Sequence, residues 1–387
     1  MLYLDNAAST SIYPVVKEAV YKALELNGNP SSMNRSGEEC RAAIYNARHS
    51  CARAINCHPD EIYFTSGGTE SDCWAITSTV LRAYHGEKVH VITSAFEHKA
   101  ILNTLSNLSQ FADVTYISPD ERGCICVSDV AAAIRPNTVL VSIMFVNNEL
   151  GTLQPIEEIA QVCHEHGILI HTDAVQAFGK LLVDIHTLGV DMLSVSGHKA
   201  HAPKGVGFLY CKAGTKLNPL LCGGGQEHGL RSGTENVSGI VGLGVAANII
   251  SAGLNTMAFR RESLCRYTIE KMRRALPEFH LNADCGYYAA GIFNFSVGDI
   301  DAQGLLMLLE ANGVIISNGS ACDSSIIHPS HVLKAIGLTD KVATNSFRVS
   351  FDGEESFDMA DKFVEVFVEQ YNNLKKMEVM LNDEGTV

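Results

Sequence analysis

The sequence predicts an α/β fold built on a mostly parallel sheet, and three observations carry that expectation. Short apolar runs alternate with segments of helical periodicity along most of the chain. Most of those runs end in polar or glycine-containing residues, as a crevice at the carboxyl ends of parallel strands requires. After about Ala252 the texture changes to a basic helix, short strands and a closing amphipathic helix.

Pro14 opens the first helix, with Val16, Val20 and Leu24 as its apolar face, and Asn27-Gly28-Asn29-Pro30 stops it. Strands are expected over 61–65, 89–92, 139–144, 167–171, 192–195 and 207–210. The most apolar stretch, 240–254, is interrupted by Asn248, Ser251 and several glycines and reads as too short to span a bilayer. A basic helix follows over 260–276, then short strands near 291–297 and 314–317. The last helix carries Phe363, Phe367, Tyr371 and Leu374 on one face. The expected division is a large α/β domain over 14–255 and a smaller α+β domain formed by 1–13 with 256–387.

With 387 residues, 46% hydrophobic and 19% charged, the chain is long and apolar enough for a large core and is not a disordered scaffold. Lys+Arg 29 against Asp+Glu 43 gives a net charge of −14, which argues against nucleic acid or a membrane surface as a direct partner. Met1 is followed by Leu2-Tyr3-Leu4-Asp5 rather than by a basic and then apolar leader, so a cytoplasmic location is expected. The 12 cysteines include no Cys-x-x-Cys pairing with zinc spacing, and no metal site is expected. Eleven of them read as small buried hydrophobes in a reducing compartment. Cys322 stands apart. It lies in the small-residue segment Asn318-Gly319-Ser320-Ala321-Cys322-Asp323-Ser324-Ser325, where a thiol is neither core filler nor a natural disulfide partner.

Thr65-Ser66-Gly67-Gly68-Thr69-Glu70-Ser71 lies between a strand and a helical pattern. Its glycines expose backbone N–H groups beside a helix N-terminus, which suits a phosphate, although the segment matches neither a Walker A loop nor Gly-x-Gly-x-x-Gly. A tight turn capped by Thr69 fits the same residues. Asp173 ends an apolar strand in His171-Thr172-Asp173-Ala174-Val175-Gln176, where a carboxylate needs a cation, several donors, or a capping role. Lys199 ends another in Ser196-Gly197-His198-Lys199, and a lysine buried there is pushed toward the neutral amine that condenses with a carbonyl. A phosphate cradle, a lysine and an anion for a pyridine nitrogen together meet the needs of pyridoxal 5'-phosphate, with His98 of Phe96-Glu97-His98 available to lie over the ring.

Ten ordered motifs then make the chain resemble the NifS/IscS-type cysteine desulfurases, class-V aminotransferase-like enzymes of the fold-type I pyridoxal-phosphate group. They run from Leu4-Asp5-Asn6-Ala7-Ala8-Ser9-Thr10 and Gly28-Asn29-Pro30-Ser31-Ser32 through the segments above, Glu97-His98-Lys99-Ala100, Asn147-Asn148-Glu149 and Arg231-Ser232-Gly233-Thr234-Glu235-Asn236, to Gly319-Ser320-Ala321-Cys322 and Pro329-Ser330-His331-Val332-Leu333. The resemblance implies a seven-stranded sheet and assigns Lys199 to carry the cofactor, Asp173 to its ring nitrogen and His98 to its face. It assigns Gly68, Thr69, Ser196 and His198 to the phosphate, with Thr234 reaching it from the partner chain of a homodimer. Asn148 and Gln176 would bond the cofactor or substrate edge, Arg348 would clamp the substrate carboxylate, and Cys322 would take sulfur from L-cysteine as a persulfide and leave alanine. The sulfur would pass to iron–sulfur scaffold proteins or other acceptors. A selenocysteine lyase, an aminotransferase, or a sulfur-carrier scaffold without cofactor are the alternatives. The chain departs from the family pattern at Asn318, at Asp323 and after Arg348, where it reads Val349-Ser350-Phe351-Asp352-Gly353.

Overall fold

A computed structural model describes residues 1–318 and 329–384. Its strands are β1 Leu2–Tyr3, β2 Ile62–Thr65, β3 Val89–Ser94, β4 Ala112–Ile117, β5 Thr138–Ser142, β6 Leu169–Asp173, β7 Met192–Ser196, β8 Gly207–Cys211, β9 Phe279–Leu281, β10 Ile292–Val297, β11 Val314–Ile315 and β12 Ser346–Ser350. Seven of them form one sheet in the order β2-β8-β7-β6-β5-β3-β4. The pairings from β7 through β4 are parallel, and β8 runs antiparallel to both of its neighbours.

Consecutive residues of these strands point to opposite faces, and both faces are covered. Ile92, Val141, Leu193 and Phe208 join one buried cluster. Their neighbours Val91, Leu140, Met192 and Leu209 join another. The second face is closed by Trp74, Ile76 and Val80 of α3 Gly68–Ala83 and by Ile101 and Leu105 of α4 Lys99–Asn107. Strand β4 is absent from the sequence expectation because it is an edge strand, with Asp113 and Tyr116 exposed and no continuous apolar run. Strand β6 runs two residues further than expected and carries Asp173 as its last residue.

Pro14 does open α1 Pro14–Leu24, but Leu24 is exposed; the buried face is Val16 and Ala23. The helix expected over 260–276 is the second half of one helix, Val237–Ala275. The glycines that seemed to break it permit close packing instead: a Cβ on Gly244 would fall 2.6 Å from the Cα of Ala47 on α2 Arg35–Ala54. That helix is long and apolar enough to cross a membrane, yet Ile240, Leu243, Ala246, Ala247 and Ile250 are buried in the core. Of the eleven described cysteines, Cys40, Cys51, Cys163, Cys211 and Cys265 are buried; Cys126 and Cys222 are exposed and the remaining four lie between, so the buried-hydrophobe reading holds for only part of the set.

The C-terminal residues build a separate three-stranded antiparallel sheet, β12-β10-β9, and β1 pairs in parallel with β11. Leu2 and Leu4 are buried in this cluster with Phe293, Phe295, Phe347, Phe363 and Phe367. Phe295 is fully buried with four phenylalanine rings within 5.8 Å of its own. The two clusters meet at a turn: Gly151 adopts φ +76°, and a Cβ there would fall 2.4 Å from the Ile292 carbonyl of β10. Replacing Phe295 by Ala leaves an aromatic-sized void. It should lower unfolding free energy by about 3–5 kcal/mol, read as a drop in the urea midpoint, and an unchanged midpoint would contradict this packing.

Candidate active site

The parallel strands deliver their polar ends to one edge of the sheet. Strand β2 leads into Ser66, Gly67 and α3; β3 into Glu97 and His98; β5 toward Asn147 and Asn148; β6 ends in Asp173; β7 leads into His198 and Lys199. The N-terminal segment crosses this edge. Lys199 Nζ donates to the carbonyls of Ala7 and Ala8, each at 2.6 Å. Thr10 donates to His198 O through its backbone N–H (2.9 Å) and its hydroxyl (3.0 Å). The segment is drawn there from β12, where Ser350 N–H donates to Leu4 O at 2.8 Å and Ala7 N–H donates to Ser350 Oγ at 2.9 Å.

Asp173 Oδ1 accepts from Val175 N–H at 2.8 Å. Burial raises the pKa of Asp173, and His98, the Val175 bond and Lys199 oppose the rise. Behind it Asp72, on α3, is 1% exposed with an unpartnered Oδ1; burial and the charge of Asp173 push it well above the usual carboxylate range. His171 Nε2 lies 3.7 Å from Asp72, but burial pushes this histidine down to about 3, so the contact is no ion pair. Its ring nitrogens instead bond the hydroxyls of Ser142 and Ser194, each at 2.9 Å. Glu97, likewise buried, is pushed up to about 8 and accepts from Met144 N–H at 3.0 Å. Of these three acids only Asp173 has His98 and Lys199 among the groups that oppose the rise.

Helix α3 begins without a side-chain cap, because its N-cap is Gly67 and Thr69 lies inside the helix; the capped-turn alternative fails. The free N–H groups of its first turn form an anion site. Ser196 stands beside it: a Cβ on Gly68 would fall 3.5 Å from Ser196 Cβ and 2.6 Å from Val175 Cγ2. His98 caps α4, its Nδ1 accepting from Ala100 N–H at 3.1 Å, which leaves the proton on Nε2. His198 is pushed down to about 4 by burial and by Lys199, so it is neutral.

Arg348 is 4% exposed and donates to Asp5 Oδ1 at 2.7 Å and to Asn148 O at 3.0 Å, while its Nε–H has no partner. Gln176 has both ends of its amide engaged, Nε2 donating to Ala7 O at 2.9 Å and Oε1 accepting from Lys180 at 2.6 Å. Thr234 is exposed and lines a cavity of about 200 Å³ with Arg231, Asn236 and the residues Thr65 and Ser66 that lead into α3. Cys322 lies outside the described residues. The residues flanking that segment are anchored at the site. Ser317 pairs with the backbone of Arg348, Ser330 Oγ donates to Glu149 Oε2 at 2.6 Å, and His331 Nε2 bonds Glu97 O at 2.9 Å. Burial pushes Glu149 up to about 7, so the Ser330 contact involves a carboxyl that titrates near neutrality. Sequence reasoning gave no role to Asp5, Glu97, Glu149 or Lys180; only the i,i+4 spacing from Gln176 could have singled out Lys180.

The model of the family described as aminotransferase class-V matches residues 2–363. The chain belongs to the class-V aminotransferase family. It is 42% identical over 378 residues to a cysteine desulfurase IscS of Methanosarcina thermophila, covering 97% of this chain and 93% of that one. It is 40% identical over 388 residues to a cysteine desulfurase of Nostoc sp., covering 100% of this chain and 96% of the relative. Among solved structures it is similar to a NifS-like protein (TM-score 0.89, 34% identity, covering 96% of this chain and 100% of that one). It is also similar to SspA in complex with cysteine (TM-score 0.80, 38% identity, covering 92% and 100%).

Glu97 supplies a test of the buried acids. Folded, it keeps its proton to about pH 8; unfolded, it loses it near 4.5. The folded state therefore holds the extra proton in that window, and stability falls as pH rises through it, by up to about 1.4 kcal/mol per pH unit for this group. Glu97→Gln should make that decline shallower in denaturant titrations between pH 5 and 8; an identical slope would mean Glu97 is ionised in the folded protein.

Proposed function

We propose that the protein is a pyridoxal 5'-phosphate-dependent L-cysteine desulfurase. The observation that carries this reading is the convergence of three groups at one sheet edge: the Lys199 amine, the Asp173 carboxylate and the uncapped N-terminus of α3. Each fits a part of the cofactor. Asp173, whose charge burial disfavours, calls for a cation such as a protonated pyridine nitrogen. The α3 N–H groups and the Ser196 hydroxyl suit a phosphate, and Gly68 lets the start of α3 pack against Val175 beside Ser196. Lys199 supplies the amine that holds the aldehyde. Thr69 and His198 complete the phosphate set, and Thr234 of a second subunit would add to it in a homodimer. In domain terms, the cofactor would belong to residues 14–255, with 1–13 and 256–387 closing over it.

Bound pyridoxal phosphate stabilises negative charge at the substrate Cα. The chain's own residues do the rest. Arg348, fixed by Asp5 and Asn148, offers its unpartnered Nε–H to the substrate carboxylate. Lys199 Nζ carries the Cα proton, and His98 Nε2–H is the acid beside it. Cys322 Sγ attacks the sulfur of L-cysteine: the substrate C–S bond breaks, an S–S bond forms, and protonation of the carbon fragment yields alanine. Ser317 and Ser330, which flank the Cys322 segment, are held against Arg348 and Glu149, and this supports the assignment. Iron–sulfur scaffold proteins or other thiol acceptors would then take the outer sulfur. The eleven described cysteines are all unpaired, which supports a reducing, cytoplasmic setting.

Incubation with L-cysteine should release alanine in step with a persulfide on Cys322. Cys322→Ala should abolish both while the protein keeps its yellow colour, and borohydride reduction should leave a pyridoxyl mass on Lys199. A yellow protein that makes no alanine overturns the desulfurase reading, and undiminished transamination in Cys322→Ala replaces it with an aminotransferase.

A further inference from the structure

Lys180 is 4% exposed, and no step described so far uses it. Its place is an expensive one. Burial and the positive charges of Arg261, Lys199 and Arg348 push its pKa well below that of a free lysine, with Asp352 opposing. A methionine would fill the same space without a buried polar head, so packing does not account for the amine. Among the described residues that amine meets one hydrogen-bond acceptor, Oε1 of Gln176 at 2.6 Å.

The two residues are four apart on the helical turn that follows β6, and so share a face. The turn itself is held by Lys180 N–H on Ala177 O at 2.9 Å and by the Arg261 guanidinium on Lys180 O. An amide side chain has one acceptor end and one donor end. With Oε1 taken by the Lys180 N–H, which the amine offers whether or not it is charged, the Nε2 end must face the other way. It does: Nε2 donates to Ala7 O at 2.9 Å, the same carbonyl that accepts from Lys199 at 2.6 Å. The donor end of Gln176 and the Lys199 amine thus sit on one acceptor, and among the described residues the second Nε2–H has no acceptor.

We propose that Lys180 is a positioning residue that turns the carbonyl of Gln176 away from the crevice, so that the amide presents N–H, never C=O, to the cofactor. The inference rests on the pyridoxal-phosphate reading of the site. The ring oxygen beside the aldehyde of that cofactor is an acceptor when ionised, so an N–H facing it favours the ionised form and a carbonyl would oppose it.

The test uses the full-length protein with added pyridoxal phosphate and compares wild type, Lys180→Met, Gln176→Leu and the double variant. Two quantities are read: the cofactor dissociation constant, and the pH midpoint of its visible absorption band. Lys180→Met should weaken the cofactor about tenfold and move the midpoint, and Gln176→Leu should do the same. The double variant should be no worse than Gln176→Leu alone, because Lys180 acts through that amide. Gln176→Glu keeps an oxygen for Lys180 but removes the donor, and should reproduce the loss in a chain of unchanged shape. Effects that multiply in the double variant, a Lys180→Met band and affinity identical to wild type, or a Gln176→Glu protein that binds as wild type, each overturn the assignment. A wild-type protein that takes up no pyridoxal phosphate overturns the reading of the site itself.

Discussion

Two backbone carbonyls, those of Ala7 and Ala8, hold the Lys199 amine, and much of the site follows from how they are placed. Backbone acceptors cannot reorient as side chains do, so their position records the path of residues 4–10. That path is determined at both ends: by β12, through Ser350, and by the end of β7, through Thr10 and His198. The same stretch carries Asp5 to Arg348 and gives Gln176 its acceptor. The strap of residues 4–10 therefore couples the lysine, the arginine and the glutamine, which come from distant parts of the chain.

The electrostatics are arranged by subtraction. Burial alone would neutralise every acid and base in this region, and for Asp72, Glu97, His171 and Lys180 it moves the group in that direction. Arg348 and Asp5, with side chains 5% and 14% exposed, lie 2.7 Å apart and give each other an opposite-charge partner. The floor beneath Asp173 is made of neutral hydroxyls and a neutral imidazole, with acids pushed toward neutrality at its sides. Burial moves Asp173 in the same direction, and there the positive charges of His98 and Lys199 oppose it.

The strand ends that bear Asp173, His98 and Lys199 were legible because a buried strand that stops at a charged residue is unusual and local. Strand β4 was not, since an edge strand needs no apolar run, and neither was the unity of the Val237–Ala275 helix, since glycine serves close packing as well as turns. The glycine turn admits two readings in sequence, a phosphate cradle or a turn capped by Thr69, because the residue at which α3 begins, Gly68, is not marked by a capping side chain. Asp5 and Lys180 were invisible for a different reason. Each draws its meaning from a partner side chain or carbonyl that only the folded topology brings near, and neither residue type signals chemistry by itself.

The strap across the sheet edge also bears on how the molecule is made. Leu4 and Ala7 dock on Ser350, more than three hundred residues later, so this segment cannot find its place until β12 has been made. Until then the Lys199 amine lacks both of its carbonyl acceptors, whatever the state of the central sheet. Contacts of such sequence separation close slowly, and a half-synthesised chain would present an unfinished pocket to any reactive aldehyde in its surroundings. Competence to hold the amine correctly is thereby tied to completion of translation through β12.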